Sequence, residues 1–145
     1  MKVIKMEEVH LTEPLSLAIG FFDGLHLGHM SFINEVLKYK GETKTAVMSF
    51  DVHPLCVLKG EKRQSIITLE EKKELLEEMG IDYLLVIHFT KEVAALSPQA
   101  FIDEYLNKLP LKRLVCGYDF HFGDHNSGNI EDLKKQSFDL IVKDA

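Results

Sequence analysis

The segment Leu15-Ser16-Leu17-Ala18-Ile19-Gly20-Phe21-Phe22-Asp23-Gly24-Leu25-His26-Leu27-Gly28-His29 decides the fold. An apolar run from Leu15 to Gly20 feeds a turn that carries Gly20, Gly24 and Gly28, and a helix opens within it. Phe32, Ile33, Val36 and Leu37 then recur at helical spacing. A continuous apolar run followed by a helical period predicts a buried strand, a tight turn and a helix in that order. His26 and His29 stand three apart, on one face of the first helical turn.

Outward from this unit the pattern repeats. Thr45 to Phe50, Tyr83 to Ile87, Leu114 to Gly117 and Phe138 to Val142 read as further strands. Leu69, Leu75, Leu76 and Met79 predict a second helix, with Gly80 placed where a C-cap glycine belongs. Ser97 as N-cap and Pro98 at the first helical position open a third, with Phe101, Ile102, Tyr105 and Leu109 on one face. A shorter fourth runs from about Asn129 to Gln136. Strands that alternate with helices, and that are apolar almost throughout, predict an α/β class: a Rossmann-like doubly wound parallel sheet of five strands with helices on both faces. No repeat, low-complexity tract or linker divides the chain, so residues 1–145 are expected to form one domain. In such sheets ligands bind beyond the carboxyl ends of the strands, near the point where strand order reverses.

Composition narrows the function classes. Asp plus Glu number 23 against 17 Lys plus Arg, for a net charge of −6, the opposite of the basic face a nucleic-acid binder presents. No apolar run approaches the roughly 20 residues of a membrane span, and Met1 to Val9 has no signal-peptide apolar segment. The expected setting is cytoplasmic, with no nucleic acid and no membrane as partner. Cys56 and Cys116 are too few for a disulfide scaffold and are expected to be inert packing.

The loop after the first strand carries the clearest chemistry. A helix N-terminus offers unpaired N–H groups and about half a positive charge, which suits an anion. Two imidazoles beside it complement a polyphosphate, and Gly28 between them lets a base or phosphate approach the backbone. A single histidine there would more often cap or pack. Phe22, Asp23, Gly24, His26, Gly28 and His29 together coincide by chance on the order of 10⁻⁶ in such a chain, which favours a site.

Two later loops have the same mixed character. Phe50-Asp51-Val52-His53-Pro54 closes a strand with a ring, a carboxylate, an imidazole and a proline, which suits a flat, partly polar ligand. Tyr118 to Asn129 gathers three aromatic rings, two histidines, two aspartates and glycines, more chemistry than a connection needs. Lys59, Lys62 and Arg63 lie in a loop read as solvated surface, and the Glu70 to Glu78 charge run reads as a solvated helix face. His53 with Cys56, and His121 with His125, fall short of the four convergent ligands of a structural zinc site.

The Gly20 to His29 segment resembles the nucleotidyltransferase superfamily marked by H-x-G-H. Phe50 to Pro54, the Leu96-Ser97-Pro98 helix start with Phe101, and Gly117-Tyr118-Asp119-Phe120-His121-Phe122-Gly123 with Gly128 and Asn129 narrow it. The whole chain is similar to the FMN adenylyltransferase (FAD synthetase) module of bacterial bifunctional riboflavin kinase/FAD synthetases. The resemblance implies transfer of AMP from ATP to FMN, giving FAD and pyrophosphate, with magnesium. It implies that His26 and His29 hold the triphosphate and stabilise the transition state, and that Gly20, Phe21, Phe22, Asp23, Gly24 and Gly28 line the nucleotide. Phe50, His53, Pro54, Asp119, Phe122, Gly123, Gly128 and Asn129 are the implied flavin contacts, and Asp23 or Asp119 the metal ligand.

His121 and Asn126 depart from the arginine and basic residue that many such relatives carry. The chain also stops at Ala145, before the family's later Ser/Thr-rich signature and its kinase domain. No kinase activity is therefore expected, and weak or absent turnover is compatible with retained ligand binding. Two other readings are a non-catalytic nucleotide- or flavin-binding module and a transferase for another phosphorylated acceptor, which the Gly117 to Gly123 segment disfavours.

Overall fold

The computed structural model describes residues 1–20, 27–51 and 69–143, with the backbone alone at 27–29 and 69. Among the described residues six strands form one sheet: β1 (Lys2–Lys5), β2 (Leu15–Ile19), β3 (Lys44–Phe50), β4 (Tyr83–Ile87), β5 (Leu111–Gly117) and β6 (Asp139–Lys143), in the order β1-β4-β3-β2-β5-β6. Every adjacent pair is parallel. The doubly wound α/β class is as expected, but the sheet has six strands rather than five. The strand missed in the sequence, Lys-Val-Ile-Lys, lies at the sheet margin, with Val3 40% exposed. A strand that is not buried on both faces lacks the apolar run by which its neighbours are recognised.

The strands alternate their side chains between two cores. On one face Leu15, Leu17, Ile19, Ala46, Met48, Leu85, Ile87, Leu114 and Cys116 pack with Phe101, Ile102, Leu106 and Leu133. On the other, Ala18, Val47, Leu84, Val86 and Val115 pack with Ile33 and Val36 of α1 (Leu27–Leu37) and Leu76 of α2 (Leu69–Met79). Ala18, Val47, Val86 and Val115 each stand between two residues of the first face in their own strand, which is the period of a strand covered on both sides.

Helix α2 ends as predicted. Gly80 N–H bonds the Glu77 carbonyl and Ile81 N–H the Leu76 carbonyl, a Schellman closure with Gly80 in the left-handed region. Thr90 caps a short helix, α3 (Lys91–Ala94), absent from the sequence reading because four residues show no period. The Ser97 and Pro98 start is confirmed: Ser97 Oγ accepts from Ala100 N–H at 3.1 Å. The helix it opens, α4 (Pro98–Phe101), passes into a π turn over Ile102–Leu106 rather than continuing as α-helix. The last helix, α5 (Ile130–Lys134), begins at an Asn129 cap.

A polar network closes the amino end of the sheet. Ser16 and Thr43 hydroxyls share a 2.6 Å hydrogen bond, and Arg113 donates to Ser16 at 3.2 Å, lies 3.9 Å over the Tyr39 ring and pairs with Glu42. Asp82 accepts from Thr45 N–H at 2.9 Å and from its hydroxyl at 3.0 Å, with Lys40 beside it. Burial alone would push the Asp82 carboxyl up, but the Thr45 hydrogen bonds and the Lys40 charge hold it below the usual range.

Candidate functional site

Strand order reverses at β2. The chain moves from β2 to β3 on one side and later crosses to β5 on the other, so β2 has a neighbour reached by each route. The crevice between the carboxyl ends of β2 and β5 is therefore the ligand position that this topology favours. Gly20 follows the last residue of β2, and α1 is already formed at Leu27. Of the expected nucleotide contacts, Phe21, Phe22, Asp23, Gly24 and His26 lie outside the described residues, whereas Gly28 and His29 fall in the first turn of α1. On the β5 side, a Cβ on Gly117 would come within 3.0 Å of both the Asp119 carboxylate and the Phe32 ring, which places Asp119 beside α1 across the crevice.

Next to the crevice lies a cavity of about 430 Å³. Its walls come from three strand ends: Phe50 at the end of β3, Phe89 after β4 and the Phe120 to Asn126 loop after β5, with α3 and Phe101 completing it. Phe50 and Phe89 meet edge to face, centroids 5.0 Å apart at 80°. Phe122 is 5% exposed, stacked on Phe120 at 5.6 Å and against Phe101 at 5.3 Å, so it forms fixed wall rather than a free platform. An aromatic cavity with a few polar groups at its lip is the usual form of a small-molecule site.

The expected flavin residues of this loop sort by what they touch. Gly123 sits at φ 78°, ψ −177°, a conformation essentially restricted to glycine, and a Cβ there would approach Pro98 N at 3.0 Å. The neighbouring Asp124 N–H bonds the Leu96 carbonyl at 2.7 Å, which ties the loop to the start of α4. Gly128 gives room to Phe122, whose ring would lie 2.7 Å from an added Cβ, and the two residues bridge through their backbones. Asn129 is occupied by capping: its side-chain oxygen accepts from Glu131 N–H, while Asp132 accepts from Asn129 N–H. His121 is exposed, and its Nδ1 donates to the Asp119 carbonyl at 2.7 Å. His125 and Asn126, both at positive φ, form the strained lip. Expected contacts His53 and Pro54 lie outside the described residues.

A magnesium ion that travels with nucleotide phosphates needs only one or two carboxylates because it retains several waters. Asp119 fits that need, since its exposed carboxylate folds back over the end of β5 at the crevice. Among the described residues no three His, Cys, Asp or Glu side chains converge on a protein-only metal cage. Beneath Asp119, burial and then the Asp119 charge push the Cys116 thiol up to about 12, so it stays protonated and unreactive.

Sequence reasoning missed several residues here. Phe89 lies just past β4, where a search of every strand's carboxyl end would have found it. Asp51 Oδ1 accepts from Phe89 N–H at 3.0 Å and Oδ2 accepts from His88 Nδ1. The charge run of α2 is not wholly solvated: Lys72 is 5% exposed and donates to Ser49 Oγ at 3.0 Å, near the end of β3. Its position on the inward face of α2, with the helix packed on the sheet through Leu76, accounts for the correction.

Comparison with known proteins agrees with this arrangement. Residues 8–144 match the FAD synthetase family model. A bifunctional riboflavin kinase/FMN adenylyltransferase of Listeria monocytogenes is 35% identical over 96% of this chain and 50% of its own length, and one from Escherichia coli K12 is 38% identical over 85% and 41%. A protein named FAD synthetase, also from Listeria monocytogenes, is 33% identical over 81% of this chain and 49% of its own. The chain thus spans about half the length of the curated relatives it matches. A solved structure described as a macrolide-efflux protein from Streptococcus pneumoniae superposes with a TM-score of 0.87 at 24% identity, over 97% of this chain and 57% of that one, a likeness of fold. No helix among the described residues is long and apolar enough to cross a membrane. With the family model covering nearly all of its length, the chain belongs to the FAD synthetase family.

Proposed function

We propose that this chain is an FMN adenylyltransferase, joining AMP from ATP to the phosphate of FMN to give FAD and pyrophosphate. The observation that carries the reading is the aromatic cavity at the carboxyl ends of β3, β4 and β5, adjacent to the β2–β5 crevice where α1 begins. A flavin ring in the cavity would point its phosphate toward the crevice, and a triphosphate would lie against the α1 N-terminus. The reaction is attack of an FMN phosphate oxygen on the α-phosphorus of ATP, with pyrophosphate leaving and no covalent enzyme intermediate.

Two anions must be brought together, so positioning and charge stabilisation dominate. His26 and His29, each with a reference pKa of ~6.5, take the doubly donating form beside a polyphosphate and stabilise charge building on the transferred and departing groups. Asp119 would hold the magnesium that accompanies ATP, and that ion would screen phosphate charge. A cytoplasmic setting suits the unpaired, buried Cys116 thiol. The test is to incubate the chain with ATP, magnesium and FMN, follow FAD by chromatography, and measure the affinity of each ligand in parallel. FAD formation is the expected result. Ligand binding without FAD would replace the enzyme with a nucleotide- and flavin-binding module, and no binding of FMN would remove the reading.

A further inference from the structure

We infer that Asp51 is a positioning residue, a bracket that joins the carboxyl ends of β3 and β4 and sets the Phe50–Phe89 wall against the flavin ring. The inference deepens the flavin reading of the cavity and rests on it. Asp51 N–H first continues the ladder by donating to the Ile87 carbonyl at 3.0 Å. Its carboxylate then turns back over β4 and accepts from Phe89 N–H at 3.0 Å through Oδ1 and from His88 Nδ1 through Oδ2. Past Ile87 the regular strand pairing ends, so without this contact the Phe89 amide would have no ladder partner. The ladder holds Phe50 against Ile87, and the Asp51 side chain extends that hold to Phe89, whose edge-to-face contact with Phe50 lines the cavity.

The geometry distinguishes this role from that of a ligand to phosphate or metal. Both carboxylate oxygens are engaged with the two residues that follow Ile87 at the end of β4, His88 through its ring and Phe89 through its backbone amide. The effect should therefore fall on the ring of the flavin, which riboflavin and FMN share, and leave ATP alone.

The experiment titrates the full chain into riboflavin and into FMN, reading flavin fluorescence, with ATP affinity measured by calorimetry. Asp51→Ala strands the Phe89 amide and is expected to weaken both flavins alike, by about tenfold, with ATP affinity unchanged. Asp51→Asn keeps an oxygen for the Phe89 amide and is expected to restore both affinities to within about twofold. His88→Ala removes one arm from an exposed position and is expected to weaken both by about two- to threefold. Loss confined to FMN would assign Asp51 to the phosphate and overturn the bracket. So would an Asp51→Ala chain that is folded by circular dichroism and binds both flavins as the parent does. Should Asp51→Ala fail to fold, His88→Ala decides: parallel weakening supports the bracket, unchanged affinity overturns it. A parent chain that binds neither flavin defeats the flavin reading itself, and the bracket with it.

Discussion

At the amino end of the sheet, Ser16, Thr43, Thr45, Asp82 and Arg113 satisfy one another around the strand starts. At the carboxyl end, Phe50, Phe89, Phe101, Phe120 and Phe122 surround an open cavity. The first arrangement consumes its hydrogen-bonding capacity within the protein and offers a ligand little. The second keeps apolar surface in contact with solvent that a bound ring would displace. One fold thus separates the groups that hold it together from the groups that bind. Substitutions at the two ends should accordingly fail in different measurements.

The largest effect is expected at the carboxyl end. His29→Ala should lower kcat by about 10² to 10³, the usual loss of one donor to a developing oxyanion, with an unchanged circular dichroism spectrum. Unchanged turnover would remove His29 from the mechanism. At the amino end Asp82→Ala, which leaves Thr45 N–H without its acceptor, should reduce stability by about 1–3 kcal/mol in chemical denaturation while flavin affinity stays the same. The folded-state pKa of Asp82 is depressed. Its stabilising contribution is therefore present above the unfolded value of ~3.9 and lost as pH falls through the lower folded value, so the Asp82→Ala deficit should shrink in acid.

Gly123→Ala joins the two measurements. A side chain at φ 78° facing Pro98 strains the loop by about 1–3 kcal/mol and displaces the cavity wall, so melting temperature and flavin affinity should fall together. The smallest effect concerns His88, whose pKa the Asp51 carboxylate raises by hydrogen bond and charge, against desolvation, with Glu7 adding to the rise and Lys5 opposing it. A raised folded value means the contribution is complete below the unfolded pKa of ~6.5 and fades as pH climbs through the folded one. Melting curves of the parent and His88→Ala should therefore converge as pH rises through that window. Curves that stay a constant distance apart would mean that the contribution of His88 does not depend on its charge, and coincident curves that it adds nothing to folding.

The fold was legible because β2 to β5 are buried on both faces and announce themselves as apolar runs, while Gly80 and Ser97-Pro98 mark helix ends by local chemistry alone. Lys2–Lys5 was hidden because it carries no such run, and the π turn after Phe101 because its residues keep a helix-like apolar face. At the site, composition was enough to single out the loops after β2, β3 and β5. It could not separate residues that face a cavity from those that support it: Asn129 is committed to a helix cap, and Gly128 to the Phe122 ring. Partners distant along the chain have no local signal: the parallel pairing of β3 with β4 brings Asp51 to His88, and the packing of α2 on the sheet brings Lys72 to Ser49.

The margin formed by β1 has its own consequence. A strand of four residues bounded by Lys2 and Lys5 presents few free amides and a cation at either end. Another chain that tried to extend the sheet there would have to bring its own strand against those charges, so this margin is a poor template for sheet-to-sheet pairing.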